Sequence, residues 1–273
     1  MTKILTQHIA LNNQYNITNS TNLAKDIVKL EITDTHRLIT FDIKDLYVNI
    51  PIQETINIAQ ERMTKNNDPQ KTQRIIKLLK VILRQNYFTF QEQIFQPTQG
   101  VAMGSPISGL VLEIFLQHEE IHIKHILDSK KIAYYARYVD DILIIYDSAQ
   151  INKKDIDTYI NRIHKNIKLN ITHEEQHSIN FLDLTITRNH NKLEINIYRK
   201  PTTTDTTINF LSNHPMEHRM AAYRHHIDRM HTLPLDKNKK WKEWQTIQRI
   251  GKSNNVPMQV LQKLNKRTQQ KTR

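Results

Sequence analysis

Three acidic side chains stand where β-rich runs of the chain end or turn. Asp42 stands near the end of RLITFDI (residues 37–43), and the pair Asp140-Asp141 sits between Tyr138-Val139 and Ile142–Ile145. Magnesium takes oxygen ligands, typically one or two carboxylates completed by substrate phosphates. Two such ions about 3.5–4 Å apart clamp the attacking and leaving oxygens of an in-line displacement. Neighbouring strands lie about 4.8 Å apart, so a carboxylate on one strand and a pair on an adjacent hairpin can share two ions. Without a cation or a basic partner the three would repel one another. An isolated Asp-Asp is ordinarily a solvated turn, but few such turns carry two acids between apolar strands. A further piece, QGVAMGSP (residues 99–106), holds two of the four glycines. Glycine lets backbone approach a ligand closely, and Ser105 ahead of Pro106 suits the cap of a helix whose positive end favours phosphate.

Such groups need a sheet and helices to hold them. Pro51 stands where a first helical turn begins, and Ile52, Ile56, Ala59 and Met63 make an apolar stripe behind it. A second helix is expected over about Lys71–Gln85, with Ile75, Leu78, Leu79 and Ile82 on its buried face. Tyr87–Gln96 alternates as a hairpin turning at Gln91–Gln93, and a long helix follows from Pro106 to Leu127. Ala133–Tyr146 is a second hairpin with the acidic pair at its tip. Asp155–Ile167 is expected to be helical, followed by strands at Lys168–Thr172, Ile179–Thr187 and Leu193–Tyr198. Asn209–Met230 and Lys239–Ile250 read as basic helices, and residues 1–36 are weakly patterned, with one short helix around Leu23–Leu30. This order predicts an α+β fold, an antiparallel sheet with helices packed on one face.

Charge divides the chain unevenly. Residues 1–187 carry 21 Lys and Arg against 21 Asp and Glu, whereas residues 188–273 carry 18 against 6, so the last third holds the whole net charge of +12. A neutral module joined to a basic one suits binding to a polyanion, although lysines also solvate helical surfaces. Cysteine is absent, which excludes disulfides and thiolate metal sites. No apolar run approaches the ~18 residues of a membrane span, so no membrane partner is expected, and the chain is read as intracellular.

Two histidine patterns resemble metal sites. His173-Glu174-Glu175-Gln176-His177 satisfies H-E-x-x-H, which binds zinc only when both histidines share a helical face. Its flanks, KLNIT and INFLDLTI, are strand-like, so a turn is expected instead. His118, His122 and His125 share one face at helical spacing, yet they also continue the stripe of Leu110, Val111 and Ile114. A half-buried or nucleic-acid-facing role is the simpler reading for them.

Taken in order, FDIKDLYVNIP, QGVAMGSPIS and YVDD resemble the three central motifs of reverse transcriptases. INFLDLTI, YRKPTTTD and INFLSNHPMEHRMAAYRHHIDRM are similar to the Penelope-like retroelement group in particular. The resemblance runs from about Asn16 to Leu235. It implies a polymerase palm over residues 37–187 and a small helical, helix-turn-helix-like thumb over 188–252. Residues 1–36 are then a remnant of fingers or linker, and 253–273 a disordered basic tail. It implies RNA-directed DNA polymerase activity with two Mg2+ ions, Mn2+ being a substitute, held by Asp42, Asp140 and Asp141. Asp45, Tyr47, Gln99 and Gly100 match positions around the incoming dNTP, with Tyr47 in the space a ribose 2′-hydroxyl would need. Lys165 or Lys168 lies in the stretch expected to supply a general acid, surface solvation being the alternative. Arg199, Lys200, His214, His218, Arg219, Arg224 and Arg229 are the expected contacts to a primer on an RNA or DNA template. A nuclear location follows, with the cytoplasm as the alternative. Only 36 residues precede Arg37, and nothing like a GIY-YIG nuclease follows Gly251. The expectation is therefore a truncated fingers segment, and the alternative function is an inactive nucleic-acid-binding remnant. A telomerase or intron-type relative is a third possibility within the polymerases.

Overall fold

Residues 36–44 form a strand that buries Leu38, Ile39, Thr40, Phe41 and Ile43 and leaves Asp42 and Lys44 exposed at its far end. In the computed structural model the described residues are 1–11, 15–65, 67–127, 131–161 and 164–271, with the backbone alone for 122–127. In chain order the elements are α1 (Thr2–His8), α2 (Ser20–Ile27), β1 (His36–Lys44), α3 (Leu46–Asn49), α4 (Ile52–Thr64), α5 (Pro69–Arg84), β2 (Phe88–Phe90), β3 (Gln93–Phe95), α6 (Ser108–Leu127), β4 (Ile132–Tyr138) and β5 (Asp141–Asp147). They continue with α7 (Lys153–Asn161), β6 (Lys168–His173), β7 (Ser178–Phe181), β8 (Leu184–Asn189), β9 (Lys192–Ile197), α8 (Met216–Thr232), α9 (Lys237–Ser253) and α10 (Met258–Lys271). The chain forms two compact units, residues 1–16 with 39–172 and residues 17–38 with 173–273. This division falls ahead of β7, not at residue 187 as expected, and gives residues 17–38 to the second unit.

The first unit carries a four-stranded sheet in the order β4-β5-β1-β6. Its core joins Phe41 and Ile43 of β1 and Ile142 and Ile144 of β5 to helix residues such as Ile56, Ala59, Met63, Leu79 and Phe115. Leu5 and Ile9, from a stretch with little pattern, are also buried in it. Asp68 caps α5 by accepting from the Lys71 amide at 2.8 Å, and Pro69 occupies the first turn, where its missing N–H costs nothing. The buried face of α5 is Thr72, Ile75, Ile76, Leu79 and Leu83, while Leu78 is 46% exposed. The expected stripe was therefore rotated by part of a turn. Helix α7 is shorter than expected, and Ile167 is buried just ahead of β6.

The second unit holds the antiparallel meander β7-β8-β9. The stretch expected as one strand over residues 179–187 is broken by a tight turn at Leu182-Asp183, with Phe181 opposite Leu184. Helix α8 starts at Met216 rather than Asn209, because Pro215 has no N–H and Asn209 instead anchors a turn, accepting from the Leu211 amide at 2.9 Å. Asp236 caps α9 through the Lys239 amide at 2.8 Å. The stretch expected as a disordered tail contains α10, whose Leu261 is fully buried. It seats against Gly251, where an added Cβ would lie 2.5 Å from Leu261 Cδ1. Met220, Tyr223, Ile227, Met230, Ile247 and Ile250 complete this helical core. Among the described residues no helix is long and apolar enough to cross a membrane.

Candidate active site

Strand β1 buries Phe41 and Ile43 and leaves Asp42 exposed between them, as alternation requires. The Ile43 amide donates to the Asp140 carbonyl at 3.0 Å. That bond brings Asp42 and Asp140, 98 positions apart in the chain, to neighbouring positions on one sheet. Asp42 Oδ2 accepts from Asn170 Nδ2 of β6 at 3.2 Å. Asn170 was not singled out in the sequence; only the alternation of KLNITH, with Lys168, Asn170 and Thr172 on its exposed face, points to it.

The tip that carries the acidic pair is a two-residue turn. Tyr138 and Asp141 pair across it, leaving Val139 and Asp140 as the loop. Val139 has φ 57°, a left-handed conformation in which a β-branched residue is a genuine outlier. Such a conformation costs about 1–3 kcal/mol and persists only where its surroundings impose it. Here the neighbouring Arg137 side chain donates to the Val139 carbonyl at 3.1 Å. Arg137 is 1% exposed and is held by Glu113 and Glu120 of α6. Burial alone would lower its pKa, but the hydrogen bonds and charges of those two carboxylates outweigh it and hold it above the ordinary value. Conversely, burial would raise the Glu113 carboxyl, yet Arg137 and then Gln117 bring it below the ordinary carboxylate range. Burial, followed by the Glu120 charge, pushes the Tyr135 hydroxyl well up.

Beyond β1 the chain turns sharply. Asp45 adopts φ 51°, and its carbonyl accepts from the Val48 and Asn49 amides, each at 3.1 Å. The QG loop closes directly onto this turn, with the Val101 amide donating to the Tyr47 carbonyl at 2.7 Å. Gly100 has φ 74°, and a Cβ there would lie 2.5 Å from the Val48 carbonyl oxygen and 2.6 Å from that of Tyr47. The glycine was expected to make room for a ligand; in the structure it makes room for backbone. Gln99 beside it is exposed and Tyr47 half-buried. Gly104, at φ 91°, faces open space, and the Ala102 carbonyl ties the loop by accepting from Ser108 Oγ at 2.7 Å and from the Ser105 amide at 3.2 Å.

Asp42, Asp45, Tyr47, Gln99, Gly100, Asp140 and Asp141 therefore all belong to the first unit, on β1, the turn after it, the loop against that turn and the β4–β5 tip. Among the described residues no three His, Asp or Glu side chains form a group able to hold a metal ion. The donor chemistry nonetheless suits a hard cation that completes its shell with substrate phosphates, since such ions use only one or two carboxylates from the protein.

The basic candidates lie in the second unit and divide in two. Arg199 pairs with Glu243, Arg229 with Asp183 at 2.8 Å, and Arg219 donates to the Phe210 carbonyl while stacking over that ring at 5.1 Å. Lys200, His214, His218 and Arg224 are exposed. The H-E-x-x-H tract is a turn, as expected: Gln176 and His177 both have positive φ, 47° and 64°, between the bridged Glu175 and Ser178. Its Glu174 carries a structural load, accepting from Arg188 at 2.6 Å and from the Leu38 amide at 2.9 Å. His118 is half-buried, and the side chains of His122 and His125 lie outside the described residues.

Among solved structures, the chain is similar to telomerase from Candida albicans in complex with a fragment of telomeric RNA, at TM-score 0.61 and 12% identity over 88% of this chain and 45% of that one. Apo telomerase from Candida tropicalis matches at TM-score 0.60 and 14% identity over 99% of this chain and 54% of that one. The RNA-dependent RNA polymerase of bacteriophage phi12 matches at TM-score 0.51 and 11% identity over 97% of this chain and 43% of that one. The chain thus spans about half the length of these neighbours, whose shared feature with it is a palm-and-thumb polymerase fold. No curated protein matches it significantly. The family model of reverse transcriptase (RNA-dependent DNA polymerase) matches residues 1–193, which contain every element of the candidate site. With most of its length accounted for by that model, the chain belongs to the reverse transcriptase family.

Proposed function

We propose that this chain is an RNA-directed DNA polymerase of a Penelope-like retroelement, adding dNTPs to a primer 3′-hydroxyl on an RNA or DNA template. The observation that carries the reading is the Ile43–Asp140 backbone bond, which sets the Asp42 strand beside the YVDD tip. Asp42 and Asp140 are assigned as the principal ligands of Mg2+, with Mn2+ a substitute and Asp141 assisting. When bound, a pair of such ions activates the attacking hydroxyl and stabilises the departing pyrophosphate. Asn170 orients the Asp42 carboxylate by donating to one of its oxygens. Asp45 and the Gln99-Gly100 loop flank the incoming nucleotide, and Tyr47 excludes a ribose 2′-hydroxyl. Lys168 lies two residues from Asn170 and so on the same face of β6. It is therefore better placed than Lys165 to donate a proton to the leaving group. Exposed Lys200, His214, His218 and Arg224 grip template–primer phosphates, a mode suited to A-like hybrids, whose shape and backbone dominate recognition. The subfamily assignment rests on INFLDLTI, YRKPTTTD and the helix-forming segment after Ile208.

Primer extension on an RNA template with Mg2+ tests the assignment. The intact chain is expected to extend the primer and the Asp140→Asn chain to fail; robust extension by that variant overturns the metal assignment. The concentration of the +12 charge in the last third favours a second reading, a nucleic-acid-binding protein without polymerase activity. It predicts salt-sensitive hybrid binding and no dNTP incorporation by the intact chain.

A further inference from the structure

Every N–H of the buried Arg137 guanidinium has an acceptor. Nη1 donates to Glu113 at 2.9 Å and Nη2 to the same carboxylate at 3.1 Å. Nε and Nη2 donate to Glu120 at 2.7 and 3.4 Å. Glu113 and Glu120 are seven residues apart on α6, two turns along one face, so the helix presents them as a pair of jaws. The remaining donor, on Nη1, goes to the Val139 carbonyl at 3.1 Å. Five donors in a rigid planar fork are thereby fixed at once. A purely stabilising role does not require this device, because well-packed apolar residues do as well or better in a buried site. What apolar residues cannot do is fix the direction of a carbonyl. The carbonyl fixed here belongs to the one residue of the acidic tip with a left-handed backbone, and the next residue is Asp140.

We propose that Arg137 is a positioning residue for Asp140: clamped by Glu113 and Glu120, it holds the Val139 carbonyl and keeps the strained turn that sets Asp140 against the Asp42 strand. The significance of this for catalysis rests on the function proposed above; the geometry it describes does not. Removing the clamp lets Val139 relax toward an ordinary backbone conformation, which rotates the Val139–Asp140 peptide and carries Asp140 with it.

The test compares the intact chain with Arg137→Met/Glu113→Gln/Glu120→Gln, which removes the guanidinium without stranding a buried charge, and with the same variant carrying Val139→Gly. The first readout is amide hydrogen exchange. The Ile43 amide, bonded to the Asp140 carbonyl, is expected to exchange about tenfold faster or more in the triple variant, the worth of roughly one hydrogen bond, while Leu143–Ile145 of β5 keep their protection. The second readout is extension, where kcat is expected to fall about 10²-fold, as for an ångström-scale misplacement, with hybrid affinity unchanged. Val139→Gly, which adopts positive φ without strain, is expected to restore both readouts toward the intact chain. Unchanged Ile43 exchange, equal loss of protection throughout β5, or no recovery with Val139→Gly overturns the inference. Should the triple variant fail to fold, Arg137→Lys makes the same comparison, since an ammonium can meet a carboxylate but lacks the fork to hold both and the carbonyl; intact-like Ile43 exchange there overturns the inference equally. If no form incorporates nucleotide but the exchange pattern appears, the positioning role stands and the polymerase reading falls.

Discussion

Replacing Gly100 by alanine isolates the closest backbone approach in the site. The new Cβ would meet the carbonyl oxygens of Val48 and Tyr47 at 2.5 and 2.6 Å and the Val48 Cα at 2.6 Å, all backbone atoms that cannot swing aside. Forcing a non-glycine residue to φ 74° costs about 1–2 kcal/mol by itself. Overpacking adds about 1–3 kcal/mol. Separating the loop from the turn also weakens the 2.7 Å Val101–Tyr47 hydrogen bond, worth about 1 kcal/mol. Gly104→Ala is the control, because at φ 91° it pays the conformational cost but meets nothing within 4 Å. Equilibrium urea unfolding should therefore show Gly100→Ala destabilised by about 3–6 kcal/mol and Gly104→Ala by about 1–2 kcal/mol. The difference of about 2–4 kcal/mol, at roughly 2–4 °C per kcal/mol, should separate the two melting temperatures by about 4–16 °C. Extension by Gly100→Ala should also show a raised dNTP KM, because the Gln99 side of the loop is displaced. Equal destabilisation of the two variants, within about 0.5 kcal/mol, would refute the close approach as the reason for glycine at this position.

Lys200→Ala and Arg224→Ala should each reduce the slope of log affinity against log salt for a template–primer hybrid by about one, whereas Arg229→Ala, which loses its pairing to Asp183, should lower the melting temperature and leave the slope unchanged. Glu174→Ala strands the buried Arg188 guanidinium and should cost about 3–5 kcal/mol in unfolding, with the exposed Glu175→Ala near neutral and no zinc taken up by either or by the intact chain in equilibrium dialysis. His226 has its pKa lowered by burial, then by the charges of Arg199 and His225. The unfolded chain therefore binds the proton first, and this group's contribution to stability, present above the ordinary histidine pKa near 6.5, is lost as pH falls through that range. Thermal melts of His226→Gln should show a flatter acid limb between about pH 7 and 5, and an unchanged limb would contradict the burial.

The candidate site was legible as a pattern because its residues are locally specified. The β-rich run around Asp42, the QGVAMGSP loop and the acidic pair between apolar strands each follow from short-range pattern, although β1 continues past Asp42 to Lys44, and the α+β class follows from their order. The turn at Gln176-His177 was equally readable, since strand-like flanks cannot set two histidines on one helical face. Helix faces were less certain where apolar residues surround the axis. In IIKLLKVIL two overlapping stripes are possible, and only the partners packed against α5 chose Ile76 and Leu83 over Leu78, with Ile82 half-buried at the margin. Likewise α10 has too few apolar residues to be stable alone, and its order comes from Leu261 meeting Gly251.

Residue types, spacing and charge thus determined the candidate acidic groups, the strands expected to carry them and the uneven charge along the chain. Long-range contact decided everything that depends on two distant stretches meeting: the Ile43–Asp140 bond, the Asn170 side chain on Asp42, and the Arg137 clamp between α6 and the acidic tip. It also decided which arginines remain exposed, for Arg199 and Arg229 are paired with carboxylates 44 and 46 residues away. Side-chain pattern reports the surroundings of a residue along its own element, whereas pairing across elements is fixed only when the core closes and brings charge to charge.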